Sequence, residues 1–68
     1  MDSTYKVIQL IGSSSESWEK AASNAIERAA KSVRDLRIAE VLEMDMQIED
    51  GKVVAYRTKL KVSFKYED

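Results

Sequence analysis

The sequence predicts an α+β fold of order β-α-β-β, a three-stranded antiparallel sheet with one helix on one face. Three observations predict it. Between Trp18 and Val33 the apolar residues recur at helical spacing. From Lys52 to Tyr66 apolar and polar residues alternate with period two, as in a half-buried strand. Asp50-Gly51 sits between two long strand-like runs and favours a two-residue hairpin of type I′. A chain of 68 residues has room for one domain, spanning 1–68.

The first element is a strand over T-Y-K-V-I-Q-L-I, residues 4–11, rich in β-branched and aromatic types and stopped by Gly12. Ser13 and Glu16 have capping-box spacing, so the helix is expected to begin there. Its inner face carries Trp18, Ala21, Ala22, Ala25, Ile26, Ala29 and Val33. Glu19, Lys20, Glu27, Lys31 and Arg34 lie on the solvated side. Leu36 to Glu49 reads as a long second strand, with Asp35 in the turn before it. A fully antiparallel sheet with the helix on one face requires the third strand to sit between the other two.

A two-residue turn at 50–51 pairs Glu49 with Lys52, Val41 with Leu60 and Ala39 with Val62. Paired residues share a face. Ala39, Val41, Leu60, Val62 and Phe64 then lie under the helix. Ile38, Leu42, Met44, Met46 and Ile48 form an apolar stripe on the far face, opposite Ser63, Lys59, Arg57, Ala55 and Val53. One helix cannot cover both faces, and contiguous exposed apolar surface marks an interface. A competing register is slipped by one residue. It opposes Glu43 to Lys59 and Asp45 to Arg57 and buries Leu42, Met44 and Met46, but it requires a bulge or a longer turn.

Composition narrows function. There is no cysteine and no histidine, which removes disulfides, thiolate metal sites and the commonest general base. So small a domain needs a stabiliser, and oligomerisation or an oxygen-ligated cation is left. Eleven basic and 12 acidic residues give no global field to attract nucleic acid or an anionic membrane. No run approaches the ~20 apolar residues of a membrane span. The N-terminus lacks the basic start and apolar run of a secretory signal. The expectation is a soluble cytoplasmic protein without nucleic-acid or membrane partners. No Ser/His/Asp or Cys/His set can form, so no enzyme is expected.

The chain resembles the dodecin family along nearly all its length. The likeness runs through Y-K-V-I-x-L-I-G-S-S, S-W-E-x-A-A, A-I-E-R-A, A-E-V at 39–41 and Y-R-T-K-L-K-V-S-F at 56–64. The resemblance implies a hollow dodecamer of β-α-β-β subunits, each sheet partly wrapped around its helix, that binds a small molecule or ion. It favours the two-residue register, with the far face given to other subunits. Most members bind flavins in pairs, using a tryptophan and a glutamine. The matching positions here are Ile38 and Arg57, so both are replaced. Ile38 has no π-face, and Arg57 donates hydrogen bonds without accepting any. This pattern is similar to the calcium-binding dodecins and implies calcium more than flavin. The alternative is a flavin binder that uses Ile38 and Arg57 in place of the usual pair.

Each candidate site has a plainer reading. Arg57 suits a carboxylate or phosphate, or an ion pair across a subunit interface. Arg37 is subject to the same choice. Lys59 and Lys61, in a row with Arg57 and Lys65, are the candidate anion-binding residues, coenzyme A being a ligand that some family members hold. The plainer reading is a solvated strand face. Glu43 and Asp45, two residues apart on one face, are the candidate metal ligands within an acidic cluster that includes Glu49 and Asp50. The plainer reading there is pairing with Lys and Arg. Met44 and Met46 read as adaptable interface filler.

Overall fold

The computed structural model describes residues 2–66. β1 runs Tyr5–Ser14, α1 Trp18–Ala29, β2 Leu36–Glu49 and β3 Lys52–Lys65. The strand order is β1-β3-β2, antiparallel throughout, with the third strand in the middle as expected. Among the described residues no helix is long and apolar enough to cross a membrane.

Gly12 does not stop β1. The strand continues to Ser14, and Gly12 is buried against the helix. A Cβ at Gly12 would stand 2.0 Å from the Ala21 carbonyl oxygen. Glycine is required here by close approach and not by a turn. The buried Ala21 supplies the other half of that approach.

The helix begins later than the Ser13–Glu16 spacing suggests. Ser17 is the N-cap, in extended conformation, and its side chain accepts from the Lys20 amide at 3.0 Å. Ser14 accepts from the Glu16 amide at 2.9 Å in the turn just before. Capping by Ser17 satisfies a first-turn amide, while Ser13 stays in the strand. Glu19 in the first turn and Arg28 in the last complement the helix dipole. Asp35 then takes a left-handed conformation (φ 59°), which aspartate tolerates, and the chain enters β2.

The hairpin turn is as the sequence predicts. Asp50 and Gly51 both have positive φ, 51° and 74°, as a type I′ turn needs. The register is not uniform, however. Glu49 pairs with Lys52, and Ile38, Ala39 and Val41 pair with Ser63, Val62 and Leu60, which is the two-residue register. Between them Glu43 pairs with Lys59, Met44 with Thr58, Asp45 with Arg57 and Met46 with Tyr56, which is the slipped one. The register changes at three places: Arg37 and Leu42 are extra residues on β2 and Val54 is an extra residue on β3, so that Leu36 pairs with Phe64 at the start of β2. Both expected registers therefore occur, each in its own segment.

This corrects the expected far-face stripe. Ile38 lies on the far face with Ser63. The bulge at Leu42 reverses the alternation, so Met44 shares the helix side with Thr58, and Met46 with Tyr56.

α1 lies over β1 and β3. Leu60 and Val62 form the centre of the core beneath it, each 1% exposed, with Thr58 alongside. Twelve helical residues span about 18 Å, whereas strands of 14 residues extend about 46 Å in a molecule 52 Å long. Most of the β2–β3 hairpin therefore projects past the helix. Met44, Met46 and Ile48 are exposed on the helix side, and Val7, Ile11 and Ile38 on the other.

Candidate functional site

The far face of the sheet is built by β3. Arg57, Lys59 and Lys61 project on alternate positions of this central strand. The register places Asp45, Glu43 and Glu40 opposite them on β2. On β1 the opposing residues are Ser13, Ile11 and Gln9. A basic row thus runs between an acidic row and a neutral one.

Arg57 meets Asp45 in a bidentate pair. Its Nε donates to Oδ1 at 2.7 Å and its terminal nitrogen to Oδ2 at 2.8 Å. The hydrogen bonds from Arg57 hold the Asp45 carboxyl below the usual carboxylate range; desolvation opposes them, and the guanidinium charge adds a lesser pull in their favour. The same bonds raise the guanidinium further. Lys59 pairs with Glu43 at 3.5 Å. A shallow depression of about 130 Å³ is lined by these four side chains and Ile11.

The slipped segment is also anchored from the helix side. The Trp18 indole Nε1 donates to the Asp45 carbonyl at 2.9 Å. Thr58 Oγ1 donates to the Trp18 carbonyl at 2.9 Å. The Trp18 and Tyr56 rings meet edge to face at 5.0 Å. Trp18 is thus half-buried and grips both β2 and β3.

Ile38 is elsewhere. It stands beside Ser63, six residues along β3 from Arg57, or about 20 Å at strand rise. One chain does not bring Ile38 and Arg57 together. Ile38 borders an open hollow of about 400 Å³ with Tyr5, Arg37 and Ser63. Strand alternation alone could have placed Tyr5 and Ile11 on this face, since Tyr5 pairs with Lys65 and Ile11 with Lys59.

Glu43 and Asp45 are on one face, as their spacing requires, but each is engaged by a cation. Among the described residues no three acidic side chains gather into a metal-sized group. Calcium takes 6–8 oxygens, so two carboxylates of a single chain fit it only as part of a larger set. Lys61 faces Glu40 and lies next to the paired Lys59 on the central strand.

The fold and this face define a class: a small α+β subunit with one short helix, a projecting hairpin and apolar surface on both sides of its sheet. The dodecin family model matches residues 4–67, and the chain belongs to the dodecin family. It is 52% identical over 63 residues to the calcium dodecin of Mycobacterium tuberculosis, covering 93% of this chain and 89% of that protein. The crystal structure of that calcium-chelating protein, described as having a novel calcium-binding site, superposes with a TM-score of 0.85 at 53% identity, covering 96% of this chain and 93% of that one. The dodecin of Streptomyces coelicolor superposes at 0.94 with 36% identity, covering 98% and 96%.

Proposed function

We propose that the protein is a non-enzymatic subunit of a hollow dodecameric shell that binds or stores a small ligand, and that calcium is that ligand. The observation that carries the reading is two-sided apolar exposure: Ile38 on the far face is 69% exposed and Ile48 at the hairpin end 62%. A 68-residue subunit cannot cover these alone, and copies of itself can. The ligand is inferred from the 52% identity to a protein called calcium dodecin.

In this reading Ile38 packs against a neighbouring subunit. Glu43 and Asp45 supply carboxylate oxygens to a site completed by other copies. Lys59 and Lys61 offer a site to an anion. Flavin is the lesser ligand: Ile38 has no ring to stack, and Asp45 already occupies the Arg57 fork. Isothermal titration with calcium after chelator treatment tests the ligand. Saturable heat is expected, and its absence at millimolar calcium would overturn the calcium reading.

A further inference from the structure

The turn side of the hairpin and its far end share one register. Glu49–Lys52 and Ile48–Val53 follow the count set by Asp50-Gly51, and so do Val41–Leu60, Ala39–Val62 and Ile38–Ser63. Between them residues 43–47 are displaced by one residue, and beyond them Leu36, past the extra Arg37, is displaced by one the other way. The block 43–47 is entered through the extra Val54 on β3 and left through the extra Leu42 on β2. The two insertions lie on opposite strands and cancel. A regular hairpin is therefore available that keeps the pairings of the turn and of residues 38–41, with Ile48 and Val53 passing to the far face.

In that regular hairpin Leu42 would oppose Lys59, Met44 would oppose Arg57 and Met46 would oppose Ala55. The faces of the block would invert. Met44 and Met46 would join the charged far face, and Glu43 and Asp45 would turn to the helix side. Arg57 and Lys59 would lose their cross-strand acids. In the structure the displaced block is where the ion pairs form, Asp45 with Arg57 and Glu43 with Lys59. The facing β1 residues are Ser13 and Ile11, so no third charge from that strand shares in them.

We propose that the Asp45–Arg57 and Glu43–Lys59 pairs lock residues 43–47 one residue out of the turn-dictated register, and so decide whether carboxylates or methionines occupy the far face. The pairs are half-exposed, which makes the lock sensitive to ionic strength: the Debye length falls to ~3 Å at 1 M salt. The inference does not depend on which ligand the protein holds.

The chain has no cysteine, so engineered pairs report register without background. Met46→Cys with Tyr56→Cys reports the displaced block, and Met46→Cys with Ala55→Cys the regular hairpin. A cross-strand disulfide needs Cα atoms within about 7 Å and suitable side-chain directions. With native charges the first pair is expected to oxidise within the chain and the second not. Adding Glu43→Gln and Asp45→Asn should invert that preference. Exchanging the charges (Glu43→Lys, Asp45→Arg, Arg57→Asp, Lys59→Glu) should restore it. In 1 M sodium chloride the second pair's yield should rise in the natively charged chain. Unchanged preference in the neutral variant, or no restoration on exchange, would overturn the lock. If circular dichroism shows the neutral variant unfolded, the salt arm decides, and a yield unmoved by 1 M salt overturns it.

Discussion

Arg57 grips both carboxylate oxygens of Asp45, at 2.7 and 2.8 Å, across the central block of the hairpin, whose register departs from its turn. The pair lowers the Asp45 pKa in the folded state. A depressed carboxylate contributes stability that is present above its unfolded value, near 3.8, and is lost as pH falls through the lower folded value. Asp45→Asn should therefore flatten the acid limb of thermal stability below about pH 4. Melting curves from pH 7 to 2 check this. Parallel acid limbs in the two proteins would show that the pair carries none of the pH dependence.

Gly12→Ala forces a methyl group to within 2.0 Å of the Ala21 carbonyl oxygen. Helix and strand must separate, and overpacking of this kind costs about 1–3 kcal/mol. Gly51→Ala meets nothing within 4 Å, so it strains only the backbone at φ 74°, by about 1 kcal/mol. Denaturant midpoints of the two variants should fall in that order.

Thr58 is the buried polar residue beneath the helix start. Thr58→Val keeps its shape and removes the donor to the Trp18 carbonyl. A loss of about 1 kcal/mol is expected. Trp18 is the single tryptophan, so a change in its emission should accompany the substitution.

Ile38→Asp puts a charge into the proposed inter-subunit contact while leaving the subunit core, Leu60 and Val62, untouched. Assembly should fail while the β content by circular dichroism is kept. A full-size assembly from this variant would remove Ile38 from the interface.

The long-range plan of the fold was legible because local signals agreed with it. Asp50-Gly51 fixed the turn, alternation fixed β3, and helical spacing fixed the face over Leu60 and Val62. The misplaced features share a different cause: they depend on partners distant in sequence. Gly12 looks like punctuation until Ala21 is seen behind it. Ser13 has cap spacing, but β1 pairing with Arg57 claims it. The far-face stripe failed at Leu42 because a one-residue bulge inverts every side chain beyond it, and the gain that sustains it, acid opposite base, is spread over two strands. Of the site, the grouping of Glu43, Asp45, Arg57 and Lys59 followed from the slipped register. The distance between Ile38 and Arg57 could have been read from strand rise.

Native mass spectrometry of the purified protein, before and after a calcium chelator, tests the shell and its ligand most directly. A species of twelve times the 7.7 kDa chain, carrying extra mass in calcium-sized steps that the chelator removes, is the expected result. A monomer at neutral pH would contradict the shell, and a dodecamer whose mass the chelator leaves unchanged, or which carries flavin instead, would contradict calcium as its ligand.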